Sequence, residues 1–167
     1  MNDTLRYQVV FDVASHGYTT WHTALVPAGV AIVAAGLYLI VNRMLSGGED
    51  RELRRYQSGL KIIMVVMLVG TVGMLVITWD DYAELRSALA RHAYRVVTGT
   101  VTDFVPEGPD GHPTERFRVD GAQYAYSTYD ITSAFHLVAR NGGPIHNGVP
   151  VRISEVRGSI ARLEIAR

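Results

Sequence analysis

The stretch VITWDDYAELRSALARHAYRVVTGTV, residues 76–101, joins an apolar run to a segment rich in Val and Thr. The apolar run ends at Trp79, and no Gly or Pro interrupts the chain before His92. We therefore expect one helix to continue beyond the apolar run as a stalk over residues 81–93. Its apolar stripe consists of Tyr82, Leu85, Leu89 and His92. This stripe either joins two copies in a coiled coil or packs on the chain's own globular domain. The second is favoured, because a coiled coil needs about three to four heptads.

Two segments are apolar enough and long enough to cross a membrane. Residues 23–41 and 62–79 contain no charged side chain. As helices with a rise of about 1.5 Å per residue they would be roughly 27–29 Å long, close to the ~30 Å hydrocarbon core of a bilayer. The sequence thus predicts transmembrane helices over residues 21–42 and 61–80, with a charged connector over 43–60. The lipid bilayer is the first predicted partner.

Basic residues near the apolar segments predict the orientation of the chain. The tail over residues 1–20 contains Arg6 alone, whereas the stretch from Asn42 to Lys61, which covers the connector and its flanking residues, contains Arg43, Arg51, Arg54, Arg55 and Lys61. Because Lys and Arg are enriched in cytoplasmic loops, we expect a cytoplasmic connector in the cell (inner) membrane. Both termini would then be extracytoplasmic. Three arginines just after the second apolar segment count against this orientation: Arg86, Arg91 and Arg95.

Composition excludes several classes of function. The chain of 167 residues is 48% hydrophobic and has a formal net charge of zero. From Asp80 onward there are ten Arg against eleven Asp and Glu, so this part has no basic surface of the kind that binds nucleic acid. Cys is absent, which excludes thiolate catalysis and cysteine zinc sites.

Residues 94–167 are predicted to form a small β domain. Asp120-Gly121 supplies the positive φ angles of a type I′ turn and predicts a hairpin over residues 116–127. Two further alternating segments, 149–155 and 159–165, predict a second pair of strands. The first strand of the domain, RVVTGTVTDF, contains Gly99, where a sharp bend or bulge is expected. The order of elements predicts a five-stranded OB-like barrel with one short helix. Another small barrel and a mixed α+β sandwich are the alternatives.

That helix is predicted in ITSAFHLVARNGG, residues 131–143. Thr132 or Ser133 is its expected N-cap and Gly142 its expected stop. The tail contributes a further element, because LRYQVVFDV, residues 5–13, alternates as a short strand does. We expect this strand either to pair with an edge of the barrel or to lie along the membrane surface.

Two parts of the β domain carry a resemblance to known proteins. GTVTDFVPEGPDGHPTERFRVDGAQYAYS, residues 99–127, and GGPIHNGVPVRISEVRGSIARLEI, residues 142–165, resemble a C-terminal module of uncharacterised small bacterial two-pass membrane proteins. The layout of membrane helices followed by an OB-like barrel is similar to NfeD-like proteins. This chain departs from that pattern in having only two spans and no protease partner domain. The resemblance implies no catalytic residue.

Residue patterns give no sign of an enzyme. Four histidines lie beyond the second apolar segment: His92, His112, His136 and His146. None has the spacing of a metal-ligand pair such as H-E-x-x-H. Ser127, Asp130 and His136 lack the G-x-S-x-G elbow that would support a catalytic triad. We expect no catalytic residue, no cofactor and no metal.

The function expected from the sequence is noncovalent binding or assembly by a β module held next to the bilayer. Its candidate contacts lie in loops and near the short helix: Phe104, Pro106, His112, Phe135 and His146. A protein partner or homo-oligomer, an envelope glycan and a lipid headgroup are the candidate ligands. The alternative is a subunit of an oligomeric channel or transport complex, although neither apolar segment carries a charged residue to line an ion path.

Overall fold

A computed structural model describes residues 6–45, 51–108 and 114–166 of the chain. The chain divides into two compact units. The helical unit comprises Thr20–Trp79, and the β unit comprises Met1–Thr19 together with Asp80–Arg167. The helical unit is therefore inserted in the sequence of the β unit, which has one part before it and one part after it.

The helical unit contains two helices that are long enough and apolar enough to span a membrane. A 3-10 helix, η1 (Thr20–Ala24), leads into α2 (Leu25–Leu45), and α3 (Arg51–Ala90) begins in this unit and ends in the β unit. The charged connector predicted between the two spans is largely helical, since α2 and α3 take up its two ends. Residues 46–50 lie outside those described.

The last turns of α3 pack on the β unit. Tyr82, Leu85 and Leu89 are buried in a hydrophobic cluster that also contains Val13 and Ala161. This confirms that the stripe contacts the chain's own domain. His92 does not belong to the stripe, because it lies beyond the end of α3, is exposed and has a positive φ of 55°.

Within the described residues, seven strands form two antiparallel sheets. Their bounds are β1 (Tyr7–Asp12), β2 (Arg95–Thr100), β3 (Thr102–Val105), β4 (Glu115–Val119), β5 (Ala122–Tyr126), β6 (Pro150–Val156) and β7 (Ser159–Ala166). The four-stranded sheet has the order β1-β7-β6-β2 and the three-stranded sheet the order β3-β4-β5. The first cluster of buried side chains contains residues of both sheets, among them Val97, Phe117, Tyr124, Ile153 and Leu163.

The mostly-β domain is confirmed, whereas the five-stranded OB-like barrel is wrong because the sheets do not close. Among the described residues, β5 pairs with β4 alone and β1 with β7 alone, which leaves an edge on each sheet. Closure would need the chain after β5 to continue as a strand. It forms an irregular segment instead, over residues 127–149.

The chain passes from one sheet to the other at Val101 and not at Gly99. Val101 is buried between β2 and β3, its N–H donates to Val149 O at 2.9 Å, and its carbonyl oxygen accepts from Gly148 N at 2.9 Å. Gly99 stays within β2 and serves a different purpose. A Cβ added there would lie 3.2 Å from Val119 Cγ1, so glycine allows the close approach of the hairpin.

Both predicted hairpins are confirmed. Asp120 and Gly121 have φ angles of 47° and 76° between β4 and β5. Arg157 and Gly158 have φ angles of 50° and 84° between β6 and β7. Positive φ at both central residues is what a type I′ turn requires, and its twist matches that of the flanking strands.

The short helix predicted over residues 131–143 is wrong. This part of the chain is irregular apart from η2, a 3-10 turn over Ala139–Asn141. Tertiary hydrogen bonds replace helical ones, since Phe135 N donates to Ile160 O at 2.9 Å and Ser133 N donates to Asp81 Oδ2 at 2.6 Å. Thr132 and Ser133 therefore contact the end of α3 and do not cap a helix.

The predicted stop at Gly142 is confirmed, as the end of η2. Gly142 is left-handed with φ of 89°, and its N–H donates to Ala139 O at 3.0 Å. Gly143 N donates to Val138 O at 2.9 Å. These two bonds form a Schellman motif, which satisfies carbonyl groups that the turn would otherwise leave without donors.

The N-terminal strand pairs with the edge of a sheet, which is the first of the two predicted alternatives. β1 runs antiparallel to β7, with Tyr7 opposite Ala166 and Asp12 opposite Arg162. Asp12 Oδ2 accepts from Arg162 Nε at 2.7 Å and lies 2.6 Å from Arg162 Nη2. Asp12 Oδ1 accepts from Ala14 N at 2.8 Å and so caps α1 (Val13–His16).

Candidate functional site

The segments that contain the predicted contacts Phe104, Pro106 and His146 meet in the β unit. Phe104 lies in β3, half-buried against the first cluster, and its N–H donates to Asn147 Oδ1 at 2.9 Å. His146 is exposed next to Asn147, and Pro106 is exposed beyond β3. His112 lies outside the described residues. Three of the five predicted contacts therefore belong to neighbouring, accessible segments.

Phe135 has a different environment, because it is only 4% exposed. Its ring packs edge-on against Tyr126 and Phe11, with ring centroids 5.4 Å and 5.5 Å away. Such aromatic contacts stabilise a core. Phe135 also lines a groove on the surface of the β unit, so a ligand would meet it as part of the groove floor.

This groove has a volume of about 360 Å³ and lies between β1 with α1 and the irregular segment after β5. Its lining is Val10, Phe11, His16, Thr19, Thr128, Thr132, Ser133, Ala134, Phe135, His136, Leu137 and Asn141. Five of these side chains are apolar, and the seven polar ones carry hydroxyl, imidazole or amide groups. The part of the lining that the structure describes contains no carboxylate, lysine or arginine, which suits a ligand with an apolar body and a few hydrogen-bonding groups.

Two histidines in the groove are held by backbone oxygens. His16 Nδ1 lies 3.3 Å from Asp12 O, and His136 Nδ1 lies 2.8 Å from Ala134 O. When Nδ1 carries the proton and donates to these carbonyls, Nε2 is left as an acceptor for a ligand. No group of three or more His, Cys, Asp or Glu within the described ranges could hold a metal ion.

Two buried carboxylates fix the segment that forms one wall of the groove. Glu107 Oε1 accepts from Ser127 Oγ at 2.5 Å and from Thr128 N at 2.8 Å. Its Oε2 lies 2.8 Å from Arg140 Nη2, at the other end of the segment. The hydrogen bond from Ser127 in particular lowers the pKa of Glu107 below its ordinary value of 4.5.

Glu115 is the second buried carboxylate, and its side chain points into the core from β4. Oε1 accepts from Tyr126 Oη at 2.8 Å, and Oε2 accepts from Ala139 N at 2.8 Å. Burial and then the neighbouring Glu115 raise the pKa of Tyr126. Glu115 thereby ties η2 to the three-stranded sheet. Neither carboxylate was predicted from the sequence. Glu115 could have been, because residues two apart in a strand point to the same face, and Phe117 and Val119 are apolar.

No protein-family model matches the chain, and no curated protein or solved structure matches it either. The resemblance to NfeD-like proteins thus stays an expectation from the sequence.

Stability at acid pH is expected to depend on Glu107. Because its pKa is lowered in the folded state, its contribution is present above pH 4.5 and is lost as pH falls below that value. The Glu107→Gln variant should be less stable than the native chain at neutral pH, and the difference should shrink on acidification. Melting temperatures recorded from neutral pH to pH 3 test this, with Glu84→Gln as a control for net charge. Parallel profiles for the native chain and Glu107→Gln would contradict it.

Stability at alkaline pH is expected to depend on Tyr126. Its pKa in the folded state is raised above the ordinary 10.0, so its contribution is present below pH 10 and is lost as pH rises. The phenolate absorbance of Tyr126 should therefore appear only as the β unit unfolds. Comparing alkaline absorbance titrations of the native chain and Tyr126→Phe measures this. A phenolate signal from Tyr126 in the folded chain near pH 10 would be inconsistent with the buried hydroxyl.

Proposed function

We propose that the chain is a two-pass membrane protein whose β unit is a noncovalent binding or assembly module. The pairing of β1 with β7 is the observation that supports this most. β1 precedes both apolar helices in the sequence, and β7 follows both. Because paired strands lie on one side of a bilayer, the chain between them crosses it an even number of times. Two crossings or none satisfy this condition.

The surface of the apolar helices favours two crossings. Val26, Ile32 and Ile77 are 73%, 73% and 69% exposed. Exposed apolar surface costs about 25 cal/mol per Å² in water, and the hydrocarbon of a bilayer removes that cost. The basic residues between the two spans favour a cytoplasmic connector in the inner membrane, with the β unit on the outer side. The layout of apolar helices joined to a β module resembles that of NfeD-like proteins.

Noncovalent binding is favoured by how the β unit uses its polar groups. Glu107, Glu115 and Asp81 each accept hydrogen bonds that position the chain after β5. The groove itself presents apolar and neutral polar side chains. A partner protein, an envelope glycan and a lipid headgroup remain the candidate ligands. The accessible loops with Phe104 and His146 offer a second contact surface for such a partner.

Single-cysteine labelling tests the topology directly, because the native chain contains no Cys. Ala14→Cys in α1 and Thr114→Cys before β4 place thiols at exposed positions on either side of the helical unit in sequence. Ser58→Cys places one between the two spans. A membrane-impermeant maleimide added to intact spheroplasts is expected to label the first two variants. The third should react only after the membrane is permeabilised.

Labelling of Ala14→Cys and Thr114→Cys from opposite sides would refute two crossings. Release of the native chain from membranes by alkaline carbonate would refute membrane insertion altogether. Labelling of Ser58→Cys alone in intact spheroplasts would keep two crossings and place the β unit in the cytoplasm.

A further inference from the structure

The outward face of the three-stranded sheet carries two arginines on its central strand. In β4 the inward residues Glu115, Phe117 and Val119 are buried, so Arg116 and Arg118 point outward and are exposed. They line a concave surface with a volume of about 400 Å³. Its other lining residues are Asp103, Val105, Phe117 and Gln123.

The neighbouring strands neutralise this pair only in part. Arg118 lies opposite Gln123 of β5, and Arg116 lies opposite Ala125 of β5 and Val105 of β3. Oppositely charged cross-strand pairs are the usual stabilising arrangement, and β5 contains no acidic residue to provide one. Among the residues that the structure describes, the guanidinium of Arg116 has no hydrogen-bond or ion-pair partner.

Among the described lining residues, Asp103 is the one that is acidic, and its contact with Arg118 is weak. Asp103 Oδ2 lies 3.7 Å from Arg118 Nη1, and the two side chains are 69% and 55% exposed. Exposed pairs of this length contribute little to stability, so Asp103 can give way to a stronger ligand for Arg118. Two positive charges against one negative charge leave the concave surface positive.

The chemistry of this surface matches a phosphate group. Each guanidinium presents paired N–H donors that bind two oxygens of one phosphate, and two residues along a strand separate the arginines by about 7 Å. A phosphate with several non-bridging oxygens can therefore be held from two sides. Gln123 adds a neutral donor, and Val105 offers an apolar contact for the organic part of the ligand.

We propose that this surface, built from Arg116, Arg118 and Gln123, binds a phosphate ester. The inference rests on the proposed binding role of the β unit and is independent of its membrane topology. A lipid headgroup and a soluble phosphate or phosphorylated glycan share this chemistry. The surface, with a volume of about 400 Å³, leaves room beside a phosphate for a further group attached through oxygen.

Calorimetric titration of the full chain in dodecyl maltoside, a detergent without phosphate, tests the proposal. The probes are glycerol 3-phosphate and dihexanoyl phosphatidic acid. Both are expected to bind, and the double variant Arg116→Gln/Arg118→Gln should weaken binding about tenfold or more. Arg116→Lys keeps the charge and loses the planar fork, so an intermediate loss is expected. Near-UV circular dichroism should be unchanged, since both arginines point away from the core.

Arg91→Gln is the matched control, because Arg91 is an exposed arginine of the β unit outside this surface. It should leave the affinity within about twofold. If the lipid probe binds about tenfold more tightly than glycerol 3-phosphate, the ligand is a lipid headgroup. If the two probes bind with equal affinity, the ligand is a soluble phosphate ester. Absence of binding up to about 10 mM, or equal weakening in the control, would overturn the proposal. Neither result alters the labelling pattern that tests the two-pass topology.

Discussion

Replacing Gly143 with alanine is expected to destabilise the β unit by about 3 kcal/mol, the upper part of the usual cost of overpacking. The added Cβ would lie 2.1 Å from Leu137 O and 2.7 Å from Val138 C. Both are backbone atoms, and they cannot withdraw without breaking the bond from Gly143 N to Val138 O. Thermal unfolding of the full chain, followed by near-UV circular dichroism of its tyrosines, measures the loss.

Gly148→Ala is the matched control for this prediction. Gly148 has a positive φ of 86°, and a Cβ added there would meet nothing within 4 Å. Its substitution should cost about 1–2 kcal/mol, because the left-handed conformation alone is strained. A loss at Gly143 no larger than the loss at Gly148 would mean that the backbone contact does not constrain the segment.

Replacing Asp12 with alanine is expected to cost about 2–4 kcal/mol, since it removes a helix cap and a charge-assisted hydrogen bond together. Oδ1 accepts from Ala14 N, and Oδ2 binds Arg162 Nε and Nη2 across β7. Without the carboxylate, the partly buried guanidinium of Arg162 loses its acceptor. The midpoint of urea unfolding of the full chain in detergent micelles measures the effect.

Two further variants separate the contributions at this position. Asp12→Asn keeps an oxygen for Ala14 N and removes the charge that faces Arg162, so its loss should be intermediate. Arg162→Met combined with Asp12→Ala completes a double-mutant cycle, and the coupling should exceed about 1 kcal/mol. A coupling near zero would show that the ion pair does not hold β1 on the sheet.

Short-range signals made the strands predictable. Asp120-Gly121 and Arg157-Gly158 each supply two positive φ angles between alternating segments, and both hairpins form where expected. The end of η2 was predictable for the same reason, because Gly142 adopts the left-handed conformation that stops a turn. Local backbone preference decides such features, so one sequence is enough to find them.

Long-range contacts decided the features that the sequence did not reveal. Phe135 and Val138 are three residues apart and both buried, which imitates a helix, yet Phe135 N bonds to Ile160 O in β7. Glu115 has a carboxylate at a position where the alternation of the strand indicates an apolar residue. Its two carboxylate oxygens accept hydrogen bonds from Tyr126 and Ala139. The failure of the barrel has a similar origin, because sheet closure depends on pairings between distant strands.

The candidate site also combines features that short-range signals predict with features that depend on long-range contacts. The segments that contain Phe104 and His146 were predicted as contacts from the composition of the loops, and they adjoin through Asn147. The groove could not be found this way, since it needs β1 and α1 to lie beside the chain that follows β5. Glu107 stands in a Pro- and Gly-rich loop where a solvated carboxylate is the ordinary expectation. Its contacts with Ser127 and Arg140 appear only in the folded chain.

The pairing of β1 with β7 also constrains biosynthesis. Asp12 and Arg162 are 150 residues apart in the sequence, so the first strand leaves the ribosome long before its partner is made. The four-stranded sheet can be completed only after both apolar helices have been translated. In the proposed two-pass topology, a nascent chain that missed one insertion step would leave β1 and β7 in different compartments, and the edge of β7 would stay unpaired. Completion of this sheet would then report that both helices had been inserted.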